Sequence, residues 1–318
     1  MTTPPPRKTA ADFDPEVLRL FDQYVHGQID RRGFIDRAAR FAAGSAIGAA
    51  ALLAELSPNF AFAQKVAPAD SRIKLEWVEY PSPAGYGKVR AYLARPVQAT
   101  GPLPVVLVAH ENRGLNPHIE DIARRLATEN FIALAPDALN PLGGYPGDED
   151  KARELFAKLD QAKTREDFIV SAAYARAIAG GNGKLGAVGF CYGGGVVNML
   201  ATRVPELVVG VPFYGNAPAL DQAAKIKAQL MLVFADNDER VNAGWPEYQA
   251  ALKAAGVRFE AYKYPGTSTA STTTPRRAST RTRPPRPGAA RSRCSIARCA
   301  ADPRTEVRTL GPCFVDTS

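Results

Sequence analysis

The sequence predicts an α/β protein with a mostly parallel central sheet and helices on both faces. Between residues 64 and 267, segments with strand character alternate with segments of helical periodicity, as is typical of this class. Several strands are continuous apolar runs, as expected where parallel strands are buried on both faces. The 318 residues, 46% hydrophobic and 23% charged, exclude a wholly disordered, collagenous or multi-span membrane protein.

The first elements are a hairpin, a buried strand and a capped helix. Segments 73–80 and 89–94 predict an antiparallel hairpin, and 105–109 is an apolar run that predicts a buried strand. Asn116 is a good N-cap for the helix that follows. Its first turn contains Pro117, and its apolar residues recur at helical spacing: Ile119, Ile122, Ala123 and Leu126.

Later elements continue the alternation. Thr164 and Asp167 resemble a capping box and predict a helix over 165–179, with Gly180 placed to end it. Further helices are expected near 196–202 and 244–254. The remaining strands are predicted at 131–135, 185–190, 208–213, 230–234 and 259–264.

The first 63 residues resemble a bacterial twin-arginine export signal with a long leader. Arg31 and Arg32 precede a weakly apolar run at 41–54, and Ala61 to Ala63 offers a small-x-small cleavage site. This order predicts transport by the Tat translocase to the periplasm or outside the cell, without stable insertion into the membrane. The alternative is an ordinary amphipathic helix with both arginines on its wet face.

The sharpest local motif is Gly189-Phe190-Cys191-Tyr192-Gly193, between an apolar strand and a glycine-rich helix start. It matches the nucleophile elbow, in which small flanking residues let the chain turn abruptly and expose the nucleophile above the sheet. A thiol suits this position because thiolates are reactive and a helix N-terminus favours negative charge. The alternative is a buried structural cysteine beside glycines needed for packing.

An acidic loop follows the strand at 230–234. In α/β-hydrolases, the acid that orients the catalytic histidine comes from such a loop, in the order nucleophile, acid, histidine. We expect Asp238 rather than Asp236 in this role. A solvated turn is the alternative.

Together with His110 and the residues that follow it, these motifs resemble the dienelactone hydrolase family of carboxymethylenebutenolidase-like α/β-hydrolases, over about 71–266. Within that family, the leader is similar to that of exported members. The resemblance implies a Cys-His-Asp triad that opens a small ester or lactone through a thioester, without a cofactor. Neither the histidines nor the acids near Asp238 have a recognised metal-ligand spacing.

The resemblance also implies roles for neighbouring residues. Glu111 matches the family's carboxylate that contacts the resting thiol. The backbone N–H groups of Asn112 and Tyr192 would form the oxyanion hole. Arg113 is a candidate anchor for a substrate carboxylate, since guanidinium binds carboxylates bidentately, with an ordinary surface residue as the equal alternative.

The histidine that this chemistry requires is absent after Asp238. The chain has three histidines, and all precede Cys191. We expect His110 to be a structural histidine, His118 to be solvated on a first helical turn, and His26 to belong to the leader. Without its general base, a thiol of ordinary pKa is only slightly ionised at neutral pH.

Residues 268–318 differ in composition from the rest of the chain. They contain ten arginines, no lysine and three acids, so they hold +7 of the formal charge of +8. Arg, Thr, Ser and Pro make up 31 of these 51 residues, which predicts disorder. Three of the four cysteines also lie here, which leaves Cys191 without a disulfide partner in residues 64–267.

We interpret this tail as the product of a shifted reading frame. A histidine-containing segment typical of exported relatives, written in GC-rich codons chosen for the purpose and shortened by its first base, translates as the ten residues from Ser268 to Arg277. The three domains expected are thus a leader (1–63), a hydrolase domain (64–267) and a disordered basic tail (268–318).

Two other functions are compatible with the sequence. A catalytically impaired α/β-hydrolase scaffold that only binds a ligand would explain the missing histidine. A nucleic-acid-binding tail would use the ten arginines, but this tail lacks interleaved aromatic residues, and an exported protein seldom meets nucleic acid. A hydrolase acting on a small ester or lactone is therefore the preferred function, with no nucleic-acid partner and with an oligomeric state that the sequence does not determine.

Overall fold

The structure is a computed structural model that describes residues 13–25, 27–42, 46–56, 64–236 and 238–264. Its core is an eight-stranded sheet in the order β1-β2-β4-β3-β5-β6-β7-β8. The strands are β1 Ile73–Ser82, β2 Gly87–Pro96, β3 Leu103–Ala109, β4 Ile132–Pro136, β5 Gly181–Phe190, β6 Leu207–Phe213, β7 Gln229–Ala235 and β8 Phe259–Tyr264.

The sheet is antiparallel at one end and parallel elsewhere. β2 pairs antiparallel with both β1 and β4, and every pairing from β4 through β3 to β8 is parallel. The predicted hairpin and mostly parallel sheet are thus confirmed. Because parallel strands place their carboxyl ends at one edge, the loops after β3, β5, β6 and β7 meet there.

Nine α-helices are described. They are α1 Pro15–Val25, α2 Arg31–Ala38, α3 Ala46–Leu56, α4 Pro117–Thr128, α5 Glu149–Phe156, α6 Gln161–Arg176, α7 Tyr192–Arg203, α8 Glu239–Asn242 and α9 Trp245–Ala254.

Helices cover both faces of the sheet, as expected. Alternate residues of β3 show the division: Val105 and Leu107 join the core that includes α5, α6, α7 and α9, whereas Val106 and Val108 join the core that includes α4. The amphipathic pattern of α4 explains its place, since all four of its predicted apolar residues are buried. The Asn116 side chain accepts from the Ile119 N–H at 3.1 Å, which confirms the predicted cap.

The predicted start of α6 is wrong. The helix begins at Gln161 because Asp160 caps it, accepting from the backbone N–H groups of Ala162 and Lys163 at 2.8 and 3.2 Å. Asp167 instead accepts from the N–H of Tyr86, in the β1–β2 turn, at 3.1 Å. The helix ends at Arg176, before the expected end.

The N-terminal helices α1 to α3 form a small apolar core of their own, which includes Phe21, Phe34 and Leu53. Arg31 and Arg32 begin α2, which is capped by Asp30, and both arginine side chains are largely exposed. No helix in the described ranges is long and apolar enough to cross a bilayer. His26, the expected cleavage site and the tail from 268 onward lie outside the described residues.

Candidate active site

Cys191 lies at a sharp turn between β5 and α7. Its φ of 54° is in the left-handed region, which a non-glycine residue adopts only when the surrounding structure enforces it. Its N–H donates to the Phe213 carbonyl at 3.0 Å, which ties the turn to β6. The thiol is partly exposed.

The flanking glycines are required by close backbone contacts. A Cβ on Gly189 would lie 2.2 Å from the Gly193 carbonyl oxygen, and one on Gly193 would lie 2.1 Å from the Ala109 carbonyl oxygen. Any side chain at either position would push β5, α7 and β3 apart. The motif therefore has the geometry of a nucleophile elbow.

Cys191 opens into a cleft of about 730 Å³ at the carboxyl edge of the sheet. Asn112 and Tyr192, the two predicted oxyanion-hole residues, line the same cleft. Tyr192 is the first residue of α7, so its N–H has no acceptor within the helix. The ring of Tyr192 packs edge-on against Phe156, with centroids 4.7 Å apart, and burial raises the pKa of its hydroxyl.

Asp238 follows the carboxyl end of β7 and is 1% exposed. Its Oδ1 accepts from the Val241 N–H at 3.0 Å and thereby caps α8. Its Oδ2 is buried and accepts no hydrogen bond among the described residues. The Nη2 of Arg240 lies 3.8 Å from this oxygen and forms an ion pair with it. A buried carboxylate oxygen without a donor is costly, which is notable at the position predicted for the triad acid.

Arg113 is not a surface residue, so that alternative is wrong. It is 8% exposed, and its guanidinium forms ion pairs with Glu149 at 3.0 Å and Glu111 at 3.7 Å. Glu111 is 4% exposed, and its predicted contact with the thiol stays a prediction. Neither residue lines the cleft.

Three other arginines line the cleft: Arg165, Arg203 and Arg240. Arg203 pairs with Glu166 at 3.3 Å, and Arg240 donates to Asn216 at 2.5 Å. Among the described residues, no carboxylate lies within ion-pair distance of Arg165. Sequence reasoning missed these arginines because they lie on three separate helices or helix ends, and no local spacing links them.

His110 is a structural histidine, as expected. It is fully buried, and the Ala138 N–H donates to its Nε2 at 3.1 Å. Because Nε2 accepts, the ring proton lies on Nδ1, which donates to the Glu111 carbonyl at 2.6 Å. Burial lowers the pKa of His110 to about 4, so the ring is neutral and both nitrogens are engaged.

The expectation that His118 is solvated is wrong. Its ring is partly buried, with its centroid 6.2 Å from that of Phe190, and burial lowers its pKa to about 4. No group of three or more His, Cys, Asp or Glu side chains that could hold a metal ion occurs in the described part of the chain.

An α/β sheet with a strained elbow, a cleft above its carboxyl edge and a late buried aspartate defines an α/β-hydrolase. The sequence profile of the Dienelactone hydrolase family matches residues 89–282, and the chain belongs to that family. A second profile, described as YqhI-like, matches residues 5–42.

Individual relatives agree with this assignment. The chain is 54% identical over 112 residues to the "Putative hydrolase fragment YghX" of Escherichia coli (strain K12), covering 35% of this chain and 96% of the fragment. It is 34% identical over 190 residues to an E. coli (strain K12) "Putative carboxymethylenebutenolidase", covering 55% of this chain and 70% of that protein.

A solved structure is similar as well. The crystal structure titled "Putative Dienelactone Hydrolase" from Klebsiella pneumoniae subsp. pneumoniae superposes with a TM-score of 0.55 at 29% identity, covering 63% of this chain and 89% of that one. By family, the chain is a hydrolase of esters or lactones.

Proposed function

We propose that this chain cleaves a small ester or lactone with Cys191 as the nucleophile. The observation that carries the proposal is the Cys191 thiol itself, presented on a strained elbow at the wall of a cleft that also contains both predicted oxyanion-hole residues. The sulfur attacks the substrate carbonyl carbon, and the N–H groups of Asn112 and Tyr192 donate to the oxyanion. Collapse breaks the C–O bond and leaves a thioester, and the alkoxide oxygen takes up the proton lost by the thiol. An ester releases its alcohol at this point, whereas an opened lactone keeps the new hydroxyl group on the acyl chain.

Water then hydrolyses the thioester, releasing the carboxylic acid and restoring the thiol. Both steps need a base, first for the thiol proton and then for the attacking water. The buried Oδ2 of Asp238 supports a role in orienting an imidazole, because it is an acceptor without a hydrogen bond among the described residues. The chain has no histidine after Asp238, so we expect solvent to act as a slow base.

Arg165 supports a preference for substrates that carry a carboxylate. It lines the cleft, and no described carboxylate pairs with it, whereas Arg113 is already held by Glu149 and Glu111. We therefore move the proposed anchor from Arg113 to Arg165. The Arg165→Gln variant should raise KM for an ester with a free carboxylate, with little effect on its methyl ester.

The proposal is tested by trapping the acyl-enzyme. The full chain is mixed with p-nitrophenyl acetate, and the peptide containing Cys191 is analysed by mass spectrometry. We expect one acetyl group on Cys191, which accumulates because the activated nitrophenyl ester acylates readily whereas hydrolysis of the thioester lacks its base. The matched control is Cys191→Ala, which also accounts for thiols elsewhere in the chain. Equal nitrophenol release by wild type and Cys191→Ala would exclude the thiol as nucleophile.

A ligand-binding scaffold without turnover gives a different result. It would bind a carboxylate-bearing ester or acid, measured by calorimetry, but would acquire no acetyl group at Cys191. Added imidazole separates the two functions further. In the proposed hydrolase it should speed deacylation of the Cys191 thioester, and Asp238→Asn should weaken this effect.

We further propose that residues from 268 onward derive from a shifted reading frame. The support is their composition and the ten-residue agreement from Ser268 to Arg277. The match to the family profile extends into this segment, as far as residue 282. Sequencing the gene around the codons for Gly266 and Thr267 tests it directly. An intact natural gene that encodes these residues would exclude a sequencing artefact, and a frame-restored chain with unchanged turnover would exclude any catalytic consequence.

Export through the twin-arginine pathway is also our proposal. It is supported by the order of Arg31, Arg32, the apolar run and Ala61 to Ala63 in the sequence. Fractionation of the producing cell tests it, with Arg31→Lys and Arg32→Lys together as the variant expected to stay in the cytoplasm. A wild-type chain found only in the cytoplasm would reject export.

A further inference from the structure

The N-terminal helices α1 to α3 form a unit that packs mainly on itself. Its apolar core contains Phe21, Phe34 and Leu53, and the Phe21 and Phe34 rings meet edge-on at 6.3 Å. None of the buried residues of this core comes from the sheet domain. The unit is therefore held against the sheet domain mostly by polar contacts.

Those contacts converge on α5. The Tyr24 hydroxyl donates to Asp150, and Arg153 Nη1 donates to the Tyr24 carbonyl at 2.6 Å while its guanidinium lies 4.4 Å from the centre of the Tyr24 ring. Arg31 also forms an ion pair with Asp150, at 3.6 Å. Arg153 Nη2 pairs with the same carboxylate at 2.8 Å, so two positive side chains and a tyrosine share Asp150 at the boundary between the helical unit and the sheet domain.

Two sets of contacts connect this boundary to the active site. Phe156, at the end of α5, packs against Tyr192, the residue after Cys191. Arg113 Nη2 donates to the Val25 carbonyl at 3.4 Å while its Nε pairs with Glu149 at the start of α5. The helical unit therefore contacts both the loop after β3, through Arg113, and α5, which packs against the elbow through Phe156.

Gln28 brings the helical unit to the cleft itself. It lies in the turn between α1 and α2, where its N–H donates to the Gln23 carbonyl at 2.9 Å, and it lines the same cleft as Cys191. It is exposed, so it forms part of the rim rather than the floor.

We propose that the N-terminal helical unit is a wall of the active-site cleft, and that Gln28 limits the size of the group that can reach Cys191. The inference builds on the proposed function, because it concerns the same thiol. Cleavage after Ala63 would remove this wall, so a processed chain would accept bulkier groups than the full chain.

The test measures access to the thiol and needs no turnover. The full chain is alkylated with iodoacetamide, which is small, or with N-(1-pyrenyl)maleimide, which is bulky, and the rate at the Cys191 peptide is followed by mass spectrometry. Gln28→Ala should raise the ratio of bulky to small rates, and Gln28→Trp should lower it. Because Gln28 is exposed, neither substitution should disturb folding, which circular dichroism checks.

Two neighbouring arginines, Arg31 and Arg32, provide a variant and its matched control for testing how the helical unit docks on the sheet domain. Arg31→Gln removes the ion pair with Asp150, whereas Arg32 pairs within its own helix with Asp36 at 3.9 Å. Because the wall narrows the cleft only while the unit is docked, the rate of the bulky reagent also rises with the undocked fraction. Loss of one partly exposed ion pair should raise that rate by up to about fivefold. Arg32→Gln should leave it unchanged.

Two outcomes overturn the inference. One is a bulky-to-small ratio that is the same in wild type, Gln28→Ala and Gln28→Trp. The other is an equal effect of Arg31→Gln and Arg32→Gln. Both can occur while Cys191 still forms a thioester with p-nitrophenyl acetate, so failure of this inference is distinguishable from failure of the proposed function.

Discussion

Two glycines in the first turn of α7 should respond to alanine in opposite directions. At Gly193, the new Cβ would lie 2.1 Å from the Ala109 carbonyl oxygen, so backbone must move. Overpacking of this kind costs roughly 3 kcal/mol or more. At Gly195, the nearest atom to a new Cβ would be the Asn216 nitrogen at 3.7 Å, an ordinary contact. Alanine there should stabilise the helix by up to about 1 kcal/mol.

The two variants should therefore differ by about 4 kcal/mol in the free energy of unfolding. Urea unfolding followed by circular dichroism measures this difference. Gly193→Ala should also displace the elbow and change the iodoacetamide rate at Cys191, whereas Gly195→Ala should leave it near the wild-type rate. Equal stabilities for the two variants would refute the claim that the close crossing of α7 and β3 requires glycine.

Three further predictions concern buried charged and titratable groups. Burial lowers the pKa of His110 from 6.5 to about 4, so protonation of this ring opposes folding. The stability that depends on the neutral ring is fully present above pH 6.5 and decreases by about 3 kcal/mol as the pH falls toward 4. The unfolding free energy of His110→Gln, measured in urea, should therefore fall less steeply with decreasing pH than that of wild type. Burial raises the pKa of Asp137 from 3.8 to about 6, so its ionisation lowers stability progressively between these pH values, and the loss is complete above pH 6. Asp137→Asn should be more stable at pH 7.5 by up to about 3 kcal/mol and show no gain at pH 3, measured as unfolding free energies, and a gain of the same size at both pH values would be the contrary result. Arg124 is fully buried and donates to the Val66 carbonyl at 2.7 Å, so Arg124→Met should cost about 3 to 5 kcal/mol, whereas Arg176→Met, which removes a surface ion pair, should cost less than about 1 kcal/mol; similar midpoints for both in urea would be the contrary result.

Much of the sheet domain could be predicted from local sequence signals. The apolar runs of β3, β6 and β7 reflect burial on both faces, and each coincides with a strand to within two residues at either end. The Asn116 cap was predictable because its hydrogen bond lies within four residues. The elbow was predictable for the same reason, since its glycines and its cysteine are adjacent in sequence.

Features that depend on distant contacts were not predictable in this way. Arg113 is buried because Glu149, on a helix much later in the chain, pairs with it. The start of α6 was misplaced because Asp160 provides a stronger cap than Thr164, and Asp167 is engaged by Tyr86. Nothing local indicated that Gln28 would lie beside the cleft.

The order of the reacting groups along the chain decides which of them a genetic lesion can remove without damaging the fold. Cys191 follows β5, in the middle of the sheet, and Asp238 follows β7, the second strand from its edge, so a shifted reading frame upstream of either residue would also replace at least one strand of the sheet. In the order typical of this fold, the histidine comes last. A single frameshift downstream of the Asp238 codon can therefore abolish turnover while sparing the nucleophile, and an equally small repair can restore it.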